Sequence, residues 1–461
     1  MNSALPVGPE RLLLILLPFA LLLLAIALLP VLNEDWWRKR STLLVSVLAG
    51  AGILSQWLVL GEPGMIRRTF TEYGSFILFL GALYVVTGGI HIDIRGTSSP
   101  RRNTILLALG AVLANFAGTM GASMLLFRPF LRVNKGSLRG YHIVFFIFIV
   151  GNIGGLLTPL GDPPLFLGYL EGVSVAWLIR NCFLPWVVSV GLLLMLFFLI
   201  DRAHSEKTVT VTPTDTGGYE IRGLSHLVPL GAIVASLFVV NPPFLREGIM
   251  LVSAACSYFL IDKKPRQMNG FNFLPFKELA ILFAGIFITM GPVLTLLEHN
   301  SGLLPFTTPG ELYWASGWCS SVLDNSPTYL SFLTFLKARV ADLQFGAHLS
   351  QIHQQTASGI QSAVSDSTIW KPFVHGTAGG EGGSAGGILK LMTDQPIYLR
   401  AITLGSVIFG AFTYIGNGPN FVVKSLAEHA GCRPPAFFKY IFGYALPILL
   451  PLYVVIWWIW L

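Results

Sequence analysis

The sequence predicts an all-α polytopic membrane protein: about ten transmembrane helices plus two re-entrant hairpins, in a 5+5 inverted repeat with two discontinuous helices. Three observations predict it. Of 461 residues, 53% are hydrophobic and only 11% charged, against about 25% charged in a soluble domain. Apolar runs long enough to cross about 30 Å of hydrocarbon recur along the whole chain. Three short polar-and-glycine motifs of the first half return, in the same order, in the second.

The spans are read near 11–32, 42–61, 74–92, 141–171, 183–201, 225–241, 246–262, 278–297, 398–427 and 436–461. The first has a weak basic n-region and no clear small-residue cleavage site, so it reads as a helix rather than a signal peptide. Segments 104–131 and 311–337 are apolar but interrupted at their centres by small and polar residues, and read as hairpins that enter and leave on one side. With that count, 20 of the 30 Lys and Arg fall on one side, among them Arg38, Lys39, Arg40, Arg101, Arg102, Arg132, Arg202 and Lys264. That side is expected to be cytoplasmic. Both termini then lie outside the cytoplasm, in the inner (plasma) membrane. The net charge of +7 is loop charge and points to no nucleic acid. Cys182, Cys256, Cys319 and Cys432 stand singly, so neither a disulfide framework nor a zinc site is read. No Walker motif is present, and no cofactor is expected.

The repeat is visible in three pairs. Phe79-Leu80-Gly81-Ala82 resembles Phe283-Ala284-Gly285-Ile286, and Thr119-Met120-Gly121-Ala122-Ser123 resembles Asp324-Asn325-Ser326-Pro327-Thr328. Thr158-Pro159-Leu160-Gly161-Asp162-Pro163-Pro164 resembles Thr413-Tyr414-Ile415-Gly416-Asn417-Gly418-Pro419. The halves are 11–201 and 225–461, joined by a cytoplasmic linker at 202–224. Each holds three spans, a hairpin and two spans, and the second carries an extracytoplasmic insert at 338–395. Five crossings separate equivalent helices, so the second half is inverted. Inverted repeats with broken helices are a signature of secondary transporters.

Pro159, Gly161, Pro163 and Pro164 cannot continue a helix ladder, so the fourth span is expected to break there. A break in lipid is tolerated where it lines a cavity or binds something. Unwound carbonyls and hydroxyls suit a hard cation such as Na⁺, and a half-helix N-terminus suits an anion. Two pseudo-symmetric sites are expected: Thr119, Gly121 and Ser123 with Thr158, Gly161 and Asp162; and Asp324, Asn325 and Thr328 with Thr413, Gly416, Asn417 and Asn420. Asp162 and Asp324 are the expected proton-coupling groups, since a carboxylate inside a span is expensive and by default functional. The plainer alternative makes Asp162 a helix cap and Asp324 a turn former.

At these residues the chain resembles the ion transporter superfamily, in particular the citrate-transport / sodium:proton antiporter group related to the NhaD-type antiporters. The resemblance rests on Gly118 to Leu126, Gly151 to Gly168, Ser321 to Tyr329 and Tyr414 to Phe421, and extends over nearly the whole chain. It implies the 5+5 fold, hairpins meeting at the midplane, elevator-type alternating access and a homodimer. The dicarboxylate-carrier pattern differs: there both hairpin tips resemble Ser-Asn-Thr and the sodium sites lack a carboxylate. Negative charge at the breaks favours cations and repels a trianion. The expected activity is therefore Na⁺(Li⁺)/H⁺ antiport, with a cation-coupled citrate or other di- or tricarboxylate carrier as the alternative. Arg128 and Lys424 are read as snorkelling to the interface. His142, at the cytoplasmic start of the broken span, is read as an interface residue. His348, His353 and His375 read as surface histidines, 376–387 as a glycine-rich flexible loop, and 174–182 as a short interfacial helix.

Overall fold

The computed structural model describes residues 9–57, 63–94, 98–204, 218–239, 242, 244–299, 306–340 and 384–461. The chain is helical almost throughout. In order, α1 (Pro9–Leu32), α2 (Glu34–Ser55) and α3 (Pro63–Gly88) lead to a short strand β1 (His91–Ile94). Next come α4 (Pro100–Val133), α5 (Gly140–Ile149), α6 (Pro163–Leu170), α7 (Val175–His204) and strand β2 (Tyr219–Arg222). The second half holds α8 (Leu227–Ser236), α9 (Leu245–Ala255), α10 (Lys264–Met268), α11 (Leu274–His299), α12 (Pro309–Val322) and α13, covering 325–340. It ends with α14 (Ser384–Thr393), α15 (Pro396–Ile408), α16 (Gly418–His429), α17 (Phe437–Tyr440) and α18 (Leu446–Trp460). Among the described residues, five helices are long and apolar enough to cross a membrane.

Local chemistry sets the boundaries. Pro100, Pro163, Pro309 and Pro396 sit in the first turns of their helices, where the missing N–H has no intrahelical partner to lose. Ser99 caps α4, and Thr308 with Glu311 forms a capping box on α12.

One of the five long helices, α4, is not a single rod. It kinks at Gly118, whose φ of 75° is left-handed backbone that suits glycine. Beyond the kink the chain returns: Asn103 Nδ2 donates to Asn134 Oδ1 at 2.8 Å and Asn134 Nδ2 to Asn103 Oδ1 at 2.9 Å. A straight helix would hold residues 31 apart at about 46 Å. The segment is thus a hairpin with its ends side by side. The second hairpin, α12 and α13, closes likewise, with Arg339 donating to the Phe306 carbonyl at 2.5 Å.

Two apolar cores result. One is built from α4, α5, α7, α12, α13, α15 and α18. The other is built from α1, α2, α3, α8, α9 and α11, and takes in Phe166 and Leu167 of α6. Phe166 stacks on Phe79 of α3 at 3.9 Å between centroids.

Several expectations need correction. Residues 174–182 are no separate interfacial helix: all but Ser174, just ahead of it, belong to the continuous α7, which carries Pro185 inside it. The linker 202–224 contains β2, which pairs antiparallel with β1, His91 opposite Arg222 and Ile94 opposite Tyr219. The third span therefore ends at Gly88 rather than 92. Helices α8 and α9 are 10 and 11 residues long, short of the expected spans, although a π-turn over Cys256–Leu260 extends α9. Residues 384–387, placed in the glycine-rich loop, open α14; the rest of that loop, and His348, His353 and His375, lie outside the described residues.

The hairpin makes a distance prediction. Spin labels at Arg101 and Lys135, both exposed, should lie at under half the roughly 50 Å of a straight helix in double electron–electron resonance. A separation near the straight-helix value would refute the fold-back.

Candidate ion-binding site

The site grows from the two broken helices. Between α5 and α6 the chain leaves the helix, turns through a short 3₁₀ stretch at Ile153–Gly155 and re-enters at Pro163. Between α15 and α16 it does the same through Phe409–Phe412, re-entering at Gly418. The breaks have matching hydrogen bonds. Thr158 donates to the Asn115 carbonyl on the first hairpin at 2.5 Å and accepts from the Gly161 N–H at 3.1 Å. Thr413 donates to the Ser321 carbonyl on the second hairpin at 2.6 Å and accepts from the Gly416 N–H at 3.0 Å. Each hairpin thus supplies the acceptor that its facing break needs, as lipid cannot. The close approach explains the glycines: a Cβ on Gly161 would lie 2.0 Å from the Gly155 carbonyl oxygen, and one on Gly416 would lie 2.7 Å from that of Gly410.

Asp162 and Asn417 precede α6 and α16 in nearly the same extended backbone, and neither side chain caps its own helix. Asp162 is fully buried. Its Oδ1 accepts from the Thr119 hydroxyl at 3.0 Å and from Asn417 Nδ2 at 3.1 Å, and its Oδ2 from Asn325 Nδ2 at 2.5 Å. Both hairpin tips and both breaks therefore meet on one carboxylate. All three donors are neutral.

Beyond the carboxylate runs a chain of amides. Asn417 also donates to Asn152 Oδ1 at 3.1 Å, Asn152 donates to Asn420 Oδ1 at 2.6 Å, and Asn420 donates to the Gly410 and Thr413 carbonyls at 2.8 Å. Asn152 and Asn115 were not among the expected site residues. Their signal in the sequence is a lone amide in an otherwise apolar run.

The other expected residues fall as follows. Asp324 is half-buried and its Oδ1 accepts from the Ser326 N–H at 3.0 Å, capping α13. Among the described residues it makes no hydrogen bond to the Asp162 group. Thr328 donates to the Asp324 carbonyl. Ser123 is buried and its hydroxyl has no partner among the described residues. Gly121 lets the first tip close on α3, since a Cβ there would meet Thr87 at 2.9 Å. Arg128 donates to the Asn269 carbonyl, and Lys424 lies 3.5 Å from Glu428 and over the Tyr414 ring.

A small cleft opens at the seam between the two cores, lined in part by Leu83, Tyr84, Thr119, Met120, Phe283 and Asn417. Asn417 Oδ1 receives no hydrogen bond among the described residues. A buried carboxylate with neutral donors is costly. A proton or a small hard cation offsets that cost. Carboxylate, hydroxyl and amide oxygens at one point are ligands of that hard kind.

Residues 9–461 match a family model described as "Putative citrate transport". The chain belongs to this family. It is a transporter, and its apolar helices make it a membrane protein. No curated protein matches the chain. For this citrate-transport family member the breaks make a direct prediction. Gly161→Ala should destabilise the protein by about 1–3 kcal/mol through overpacking. Gly191→Ala, where a Cβ meets nothing within 4 Å, should not. Thermal melting of both variants in detergent decides; equal melting temperatures would contradict the packed break.

Proposed function

We propose that the chain is a secondary active transporter working by alternating access, in which Na⁺ or Li⁺ and a proton compete for Asp162. The observation that carries this is the single buried carboxylate on which both hairpin tips and both breaks converge. Ionised and unoccupied, it is disfavoured; protonated or cation-bound, it is compensated. Exclusive occupancy by one or the other is the chemistry of exchange.

The membrane arrangement in this reading is ten crossings and two hairpins in two inverted halves, 11–201 and 225–461. Both termini lie outside the cytoplasm. Two groups of contacts support that reading. At one end meet β1 and β2, the Asn103–Asn134 pair, Asp201 at the end of α7, and Pro435 beside Gly140. Arg132 pairs there with Asp93 at 2.8 Å. At the other end Arg68 meets Glu171 at 3.2 Å, Lys337 pairs with the same Glu171, and Trp177 donates to the Met392 carbonyl at 3.3 Å.

A second reading, a cation-coupled citrate carrier, is favoured by the family's description. Helix N-termini at both breaks also suit a carboxylate. The residues lining the cleft include no Lys or Arg, so citrate would enter with its charge met by bound cations.

Proteoliposomes carrying a pH gradient separate the two. Under exchange, added Na⁺ or Li⁺ collapses the gradient without citrate. Asp162→Asn then slows it by about tenfold or more, a loss of at least ~1.4 kcal/mol. Asp324→Asn, which removes the charge but keeps a capping oxygen for the Ser326 N–H, has the smaller effect. Labelled citrate uptake that requires Na⁺, with no cation exchange in its absence, selects the carrier. Wild-type flux in Asp162→Asn defeats both.

A further inference from the structure

A buried polar cluster lies apart from the Asp162 group. It lies where the ends of the first hairpin meet the start of α5 and the end of α7. Asp201 is buried there, its Oδ2 accepting from Asn103 Nδ2 at 2.9 Å and its Oδ1 from the Tyr141 hydroxyl at 2.7 Å. His142, read from the sequence as an interface residue, is buried instead, with Nε2 3.1 Å from Asp201 Oδ1.

The other face of the ring decides its state. The Arg139 backbone N–H donates to His142 Nδ1 at 3.0 Å. A backbone N–H is always a donor, so Nδ1 must offer its lone pair and Nε2 must carry the hydrogen toward Asp201. His142 is held as the neutral Nε2–H tautomer, and it caps the first turn of α5 in the manner of a capping box. A proton arriving at Nδ1 would meet the Arg139 N–H donor to donor. To accept it, the ring must release that N–H.

The groups facing the ring are few. Beside Asp201, α7 brings His204, its ring tilted against Tyr141 at 5.7 Å between centroids. The α5 side brings Tyr141, at 4.3 Å between ring centroids, and Arg139. The last helices bring Tyr444. The first hairpin presents the neutral Asn103 and Asn134 and the Phe130 ring.

We propose that His142 is a second proton-binding site, distinct from Asp162, at which protonation uncaps α5 and thereby slows transport. The effect travels along α5, which ends three residues before Asn152 of the ion-site amide chain. The slowing rests on the transporter reading; the uncapping does not.

The test uses the full chain in nanodiscs. Hydrogen–deuterium exchange over residues 139–143, corrected for intrinsic exchange, should lose several-fold protection as pH falls from about 7.5 to 5.5. His142→Gln keeps an acceptor at the third helical position but takes up no proton in this range. It should hold its protection throughout, and in proteoliposomes should lose the acid-side fall in rate that wild type shows. Unchanged wild-type protection over this range overturns the proposal even if the variant fails to fold. Equal losses in both proteins overturn it too. A protection change without any transport leaves the uncapping standing and removes the transporter reading.

Discussion

Everything in this molecule depends on how two interrupted helices satisfy their backbone without water. Each break leaves carbonyls and N–H groups that a bilayer will not solvate. The solution is reciprocal. Each hairpin packs on its facing break and lends it a carbonyl, through Thr158 to Asn115 and through Thr413 to Ser321. The hairpins gain in return: the Thr119 N–H at the first tip donates to the Gly161 carbonyl at 2.8 Å. Break and hairpin are each incomplete alone, which is why the repeat must contain both.

The two breaks are alike in backbone and unlike in charge. Asp162 and Asn417 occupy equivalent positions, yet only one is acidic. Two carboxylates facing each other at this depth would repel strongly. An amide in the second position can donate to the carboxylate instead, and Asn417 does so. The two expected sites thereby become one, with a single charge served by four segments. Asp324 is displaced from that centre because its place at the start of α13 gives it an N–H to accept.

What the sequence reveals follows from how local each signal is. Proline and glycine act on their own backbone, so the breaks at 158–164 and 413–419 were legible, and so were the hairpins around Thr119 and Asp324. The strand pair was not: His91–Ile94 and Tyr219–Arg222 are short and find each other across more than a hundred residues. Nor was the union of 175–182 with the following span: α7 runs on without a break from Val175 through Pro185 to His204, although a proline commonly ends or kinks a helix. The role of Asn152 was hidden for a similar reason. Its partners, Asn417 and Asn420, are more than 260 positions away, and no spacing rule encodes that meeting.

The interactions are also graded. Around Asp162 the bonds are buried, directional and interlocked, so the hairpin tips and breaks hold one another in place. Elsewhere the contacts differ in kind. Arg132–Asp93 and Arg68–Glu171 are partly exposed ion pairs, a class worth about 0–1 kcal/mol each. Phe166 stacked on Phe79 is an apolar contact inside the second core, and burial of that sort is non-directional. The directional bonding is thus concentrated where a buried carboxylate needs it: burial of a charge is costly unless donors meet it, and three of them, from three different segments, do.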